Sequence, residues 1–194
     1  MKNRVITISR EFGSGGRTIG KKVAEELGLP CYDSELIEKT AEKSGFHVSY
    51  IKDAGEYAPG GFLASALSHR TSGPNNADYL WKIQYNIITE LAEKGPCVIV
   101  GRCADYILKD NPNCINVFIC ADRADRIKRI AERYDVSEKK ALDRIKRMDR
   151  ERKYYYETHT GQEWGSISSH DILLNASLLG IEGTVNVLEG IYKR

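Results

Sequence analysis

No apolar run in the 194 residues approaches the roughly 20 needed to cross a bilayer, and the first residues lack the apolar core of a secretory leader. Both absences lead to the expectation of a cytoplasmic protein without a membrane partner. Cys31, Cys97, Cys103, Cys114 and Cys120 are odd in number and form no C-x-x-C pair, and the four histidines are scattered without ligand spacing. A disulfide framework or structural metal is therefore not indicated. Small buried hydrophobes in a reducing compartment are the better reading of the cysteines. Charge of one sign is lacking too: 29 Lys and Arg stand against 27 Asp and Glu, a net charge of +2, which carries no nucleic-acid signal. There is no repeat, low-complexity tract or linker, so a single domain over 1–194 is expected.

What is present is concentrated near the start. Val5, Ile6 and Ile8 make a short β-rich run suited to a buried parallel strand, and Ile19, Val23, Ala24 and Leu27 then recur at helical spacing up to a stop at Gly28. Between them Gly13, Gly15 and Gly16 remove Cβ atoms where the backbone must bend or approach a ligand closely. A glycine turn feeding a helix N-terminus aims unpaired N–H groups and a positive dipole end at one spot. Gly13, Ser14, Gly15, Gly16, Arg17 and Thr18 thus read as a phosphate cradle.

One further absence sits inside this loop. The pattern G-x-x-x-x-G-K-[ST] needs a lysine after its last glycine. With Gly15 as that glycine the lysine place holds Gly16 and the next place Arg17, so Thr18, one residue further on, is the candidate Mg²⁺-binding hydroxyl, and Arg10 stands where the first glycine would be. Arg17, Lys21 and Lys22 are the cations at hand. Arg17 is expected to supply the missing charge, since a guanidinium suits phosphate oxygens bidentately. Arg10 is either a phosphate ligand or a partner for Glu11.

Downstream, Leu29–Tyr32 reads as a short extended piece followed by a helix, with Asp33 or Ser34 as its cap. Residues 44–76 are broken by Gly55, Pro59, Gly60, Gly61, Gly73 and Pro74, the character of a functional or mobile insertion. Leu80, Ile83, Ile87, Ile88 and Leu91 mark an amphipathic helix over 77–94. Val98–Val100 is a strand that delivers Gly101-Arg102 to its C-terminal end, the edge where open α/β sheets bind ligands. Residues 114–120 and 172–176 read as further strands. Asp122 is the expected cap of a helix from Arg123, and a closing helix runs from about Glu182 to Tyr192. Strands alternating with helices predict a parallel sheet covered on both faces. Residues 122–153 carry thirteen Lys/Arg against eight Asp/Glu, densest at Arg144–Lys153. Such crowding calls for an anion, and a small nucleotide fits better than nucleic acid stacked on Tyr154–Tyr156.

Taken together these residues resemble the P-loop nucleoside monophosphate kinases, and most closely the cytidylate kinase-like family, over nearly the whole chain. The opening strand and glycine loop, Tyr32-Asp33-Ser34, Val100-Gly101-Arg102, Phe118–Asp122 with Arg126 and Arg129, Arg147–Arg152, and Asp171–Ser177 carry the likeness. It implies an α/β fold of the P-loop NTPase type, a three-layer α/β/α sandwich with a mainly parallel sheet and a helical lid over 137–158, and an acceptor-binding insertion at 44–76. It also implies ATP and Mg²⁺ as cofactors and a nucleoside monophosphate, CMP or dCMP foremost, as acceptor. In that reading Arg17, Arg147, Arg150 and Arg152 are catalytic, and Asp33, Ser34, Lys39, Arg102 and Asp149 bind substrate, Asp149 by touching it or by positioning the lid arginines. Two departures bear on the acceptor: Val100 replaces an acidic residue and Lys39 an arginine. A small-molecule kinase with a non-nucleotide acceptor, and a silent nucleotide sensor, are the alternatives. A homo-oligomer is left open.

Overall fold

The computed structural model describes residues 4–33, residue 43 and residues 75–194, with backbone only for 75–80. Ser34, Lys39, the expected helix after Asp33 and all but the end of the expected insertion lie outside the described residues. Five strands form one sheet: β1 (Val5–Arg10), β2 (Cys31–Tyr32), β3 (Cys97–Val100), β4 (Cys114–Cys120) and β5 (Ile172–Asn175). Their order is β2-β3-β1-β4-β5 and every pairing is parallel, so the predicted parallel sheet is observed.

The helices are α1 (Gly16–Leu27), α2 (Asn75–Lys94), α3 (Ala104–Ile107), α4 (Arg123–Tyr134), α5 (Glu138–Thr160) and α6 (Ala176–Tyr192). Strand alternation decides which of them each residue meets. Ile6, Ile8, Val98, Val100, Val117 and Ile119 pack with Ile19 and Val23 of α1 and Val185 and Leu188 of α6. Val5, Cys97 and Ile99 face the other way, onto Ile87, Ile88 and Leu91 of α2 and Ile107 of α3. Both faces of the sheet are thereby covered, as the α/β/α layering requires.

Three boundaries differ from expectation. The closing helix begins at Ala176, with a break at Gly180 (φ +67°, ψ 173°), so the expected helix from Glu182 is its second, longer part. Asp122 occupies the cap position of α4 but makes no side-chain capping bond. Its Oδ1 accepts from Asn175 Nδ2 at 3.1 Å, which ties the end of β4 to the start of α6 instead. The helix starting α1 begins at Gly16, three residues earlier than the apolar periodicity shows.

All five cysteines are free thiols; Cys97 and Cys103 are buried and the other three half-buried. Burial pushes the Cys97 and Cys114 thiols up to about 12, and burial followed by the Asp105 carboxylate raises the Tyr156 phenol well above its usual value. An acid whose folded pKa is raised keeps its proton in the native state after the unfolded chain has lost it, so stability falls as pH rises above about 9. Thermal melts between pH 8 and 11 should show this decline, and Cys97→Ala should make it shallower. An unchanged melting temperature across that range would contradict it.

Candidate active site

The loop between β1 and α1 makes the predicted turn. Gly15 is the cap residue of α1 in the left-handed region (φ +90°) and has no side chain to cap the helix, so beyond Gly16 the N–H groups of its first turn point out of the helix end. Gly16 is needed for a different reason: a Cβ there would lie 2.7 Å from Arg10 Cβ. The place of the absent lysine is thus filled by the body of Arg10. Ser14 is fully buried and its hydroxyl braces the loop, donating to the Glu11 carbonyl at 3.0 Å and accepting from Gly16 N–H at 3.4 Å. The loop pocket is lined by Gly13, Gly15, Gly16, Arg17 and Thr18 but not by Ser14.

The same pocket is walled by Arg10, Arg129, Arg133 and Arg152 together with Phe12, Ile130 and Tyr134. Five arginines, counting Arg17, face one lining acid, Glu11. That acid is already neutralised, since its carboxylate accepts from Ala121 N–H at 3.0 Å and pairs with Arg126 Nη1 at 3.0 Å. The pocket therefore gathers five arginines beside a helix N-terminus, a combination that suits phosphate groups.

Helix α4 supplies two of these five arginines, Arg129 and Arg133, and carries a third, Arg126, that pairs with Glu11. Arg126, Arg129 and Arg133 recur at i, i+3 and i+7 and so share one face. Arg126 is 6% exposed; its Nε donates to the Phe12 carbonyl at 2.8 Å and its Nη2 pairs with Asp149. Asp149 in turn accepts from Phe12 N–H at 2.7 Å. Asp149 thus holds Arg126 and the loop backbone; Arg126 stands on α4 and is not one of the lid arginines that the sequence offered Asp149 to position. Arg129 Nη1 donates to the Gly13 carbonyl, placing its guanidinium against the glycine turn. Sequence reasoning assigned Arg129 to a connecting helix only. The one-face spacing of the three arginines was the signal that could have found it.

Arg17 lines the pocket and is ion-paired with Asp33, which is 8% exposed at the end of β2. The two residues expected to serve donor and acceptor are therefore joined to each other. Arg147 and Arg150 lie on the exposed side of α5, Arg147 within 3.9 Å of Glu151, and neither lines a described pocket. Arg152 is different. It is 5% exposed, donates from Nη1 to the Arg10 carbonyl at 3.0 Å, and lies over the Phe12 ring at 5.5 Å.

A second pocket adjoins the first at the C-terminal edge of β3. It is lined by Ser9, Gly101, Arg102, Cys103, Tyr155, Tyr156 and Trp164, and it shares Arg10 and Arg152 with the loop pocket. Arg102 is 6% exposed and its Nη2 has no hydrogen-bond partner. Such an orphaned cationic donor is costly to bury unless an anion completes it. Behind it a polar network is closed: Asp105 accepts from Ser9 at 3.2 Å and from Tyr156 at 2.6 Å, with His170 Nε2 at 3.5 Å. His170, Tyr156 and Trp164, to which the sequence assigned no settled role, are thereby placed in and behind this wall.

A glycine cradle and an unpartnered buried arginine fit phosphate groups. Among the described residues no three His, Cys, Asp or Glu gather to hold a metal, so Mg²⁺ would be bound through substrate phosphates with Thr18 beside them. Comparison with known proteins agrees with this geometry. The model of the cytidylate kinase-like family matches residues 5–178. The cytidylate kinase of Methanococcus vannielii is 26% identical over 191 residues, covering 97% of this chain and 99% of that one. The cytidylate kinase of Ignicoccus hospitalis is 25% identical over 186 residues, or 95% and 96% of the two chains. Among solved structures, an uncharacterized protein from Eubacterium ventriosum is 31% identical, with a TM-score of 0.76 and 98% of both chains covered. A shikimate kinase from Bacteroides thetaiotaomicron is similar in fold, with a TM-score of 0.57 at 16% identity over 98% and 99% of the chains. With its parallel sheet, glycine loop and a family match over most of its length, the chain belongs to the cytidylate kinase-like family.

Proposed function

We propose that this chain transfers a phosphoryl group from ATP to a nucleoside monophosphate, with CMP or dCMP the foremost acceptor. The observation that carries the reading is the pair of adjoining anion pockets with Arg10 and Arg152 in their common wall. Two phosphate-bearing molecules held there would meet end to end, as in-line transfer demands. Membership of a family named for cytidylate kinase, and the fold shared with small-molecule kinases, support the same chemistry.

In this mechanism the N–H groups from Gly13 to Thr18 take the donor β-phosphate, and Arg129 and Arg17 replace the loop lysine. Arg102 holds the acceptor phosphate through its unpartnered Nη2. An acceptor phosphate oxygen bonds to the γ-phosphorus as the bond to the β–γ bridging oxygen breaks, and ADP leaves with that electron pair. Arg152, between the pockets, cancels charge on the moving group where water is excluded. Thr18 would hold Mg²⁺ at the donor phosphates, where the ion would supply charge neutralisation. Asp33, held by Arg17, orients the acceptor. Arg147 and Arg150 join the site only if α5 moves on substrate binding, whereas Arg152 needs no such movement.

ATP consumption with Mg²⁺ across a panel of ribo- and deoxyribonucleoside monophosphates tests the reading. Fastest turnover is expected with CMP or dCMP. Turnover with another monophosphate would keep the mechanism and reassign the base. Bound ATP without turnover on any monophosphate would overturn the reading in favour of a non-nucleotide acceptor or a sensor.

A further inference from the structure

At the end of β3 three successive residues are left-handed: Gly101 (φ +77°), Arg102 (φ +62°) and Cys103 (φ +54°). Glycine takes this conformation freely, but two side-chain-bearing residues in succession hold it only when their surroundings enforce it. Backbone bonds set the frame of the turn, with Gly101 N–H on the Ile8 carbonyl at 2.9 Å and Ala104 N–H on the Gly101 carbonyl at 3.2 Å. The Arg102 carbonyl, at the centre of the turn, accepts instead from a side chain, Gln84 Nε2 at 3.0 Å.

Gln84 stands on α2 beside Ile87 and Ile88, on the face that packs against the sheet, and is 6% exposed. An amide is a costly choice for such a position unless both of its ends are bonded. Both are, since its Oε1 accepts from the Tyr155 hydroxyl of α5 at 3.4 Å. One buried side chain thus joins α2, the arginine-bearing turn and α5. Turning the 102–103 peptide out of its left-handed state would break the Gln84 bond and swing the Arg102 Cα–Cβ direction away from the second pocket.

We propose that Gln84 is a positioning residue that holds the Arg102 turn left-handed and so aims the unpartnered guanidinium Nη2 at the acceptor anion. The proposal rests on the reading of Arg102 as the acceptor clamp, and the two are separable by experiment. Wild type, Arg102→Ala, Gln84→Met and Gln84→Glu are compared for melting temperature, for binding of inorganic phosphate with ADP filling the loop pocket, and for KM of acceptor and of ATP. Gln84→Met keeps the volume and removes both bonds. Gln84→Glu keeps the acceptor for Tyr155 and removes the donor to Arg102.

Both Gln84 variants should weaken phosphate binding and raise the acceptor KM about tenfold, the scale of one lost buried bond, with the ATP KM unchanged. Unchanged acceptor KM and phosphate affinity in both variants, while Arg102→Ala loses them, would overturn the role of Gln84 alone. Acceptor and ATP KM rising together with a falling melting temperature would reduce Gln84 to a packing residue. Wild-type phosphate binding in Arg102→Ala would remove the acceptor clamp and this proposal with it.

Discussion

Arg152→Ala should lower kcat by about 10³-fold, the upper range for loss of one preorganised donor at a transition state. The argument is positional. Arg152 is the buried arginine among Arg147, Arg150 and Arg152 of α5, and together with Arg10 it is common to both pockets. A guanidinium there serves donor and acceptor at once, and its field acts with little solvent screening. Its bond to the Arg10 carbonyl at 3.0 Å and its place over Phe12 hold it before substrate arrives, so no ordering is needed at the moment of transfer. Arg152→Lys keeps the charge but not the planar fork, and should recover only a minor part of the loss. Steady-state ADP release, measured below the melting temperature of each variant, checks this. A kcat within a few-fold of wild type in the alanine variant would place the transferring group elsewhere.

Arg129→Ala should cost about 10²–10³ in kcat/KM for ATP, more than Arg17→Ala. The glycine loop lacks its lysine, and the two candidates to replace it are held differently. Arg17 is drawn to Asp33 by an ion pair, which divides its charge between the loop and the end of β2. Arg129 donates to the Gly13 carbonyl, directly on the turn that would bind the donor. Its neighbours confirm the proximity: a Cβ at Gly15 would lie 3.7 Å from Arg129 Nη1. Since Arg17 also holds Asp33, Arg17→Ala should raise the acceptor KM as well as the ATP KM, while Arg129→Ala acts on ATP alone. Titration of both variants with ATP and acceptor separates them. A larger donor-side loss in Arg17→Ala would restore Arg17 as the lysine's substitute.

The elements differ in how readable they were. β3 is apolar on both faces because helices cover the sheet twice, which leaves a continuous run. β1 and β4 each keep one apolar face, with Ile6 and Ile8 in the first and Ile115, Val117 and Ile119 in the second. The glycine loop was readable because positive φ and close approach admit almost no other residue; Gly15 and Gly16 illustrate one reason each. The start of α6 was hidden because Gly180 interrupts the helix and because Ala176 reads as the last residue of the preceding strand. Asp122 shows the limit of local rules. It stands at a cap position, yet Asn175 from a distant segment takes its carboxylate.

By itself the sequence determined the parallel α/β architecture, the glycine turn between strand and helix, the absence of a lysine between Gly15 and Thr18, and Arg102 at the C-terminal end of a strand. These follow from periodicity and from residue types with few conformational substitutes. Only the tertiary structure decided which of many arginines are buried and which line the pockets. Arg147, Arg150 and Arg152 lie within six positions on one helix, and a stretch that basic reads alike throughout. Packing of α5 on the loop buries Arg152 and leaves the other two in solvent. The same packing brings Asp149 to Phe12 and Arg126, Arg129 to Gly13, and Gln84 to Arg102. Such pairings join residues far apart in the chain, and burial of charge is a property of where helices meet, which no local spacing encodes.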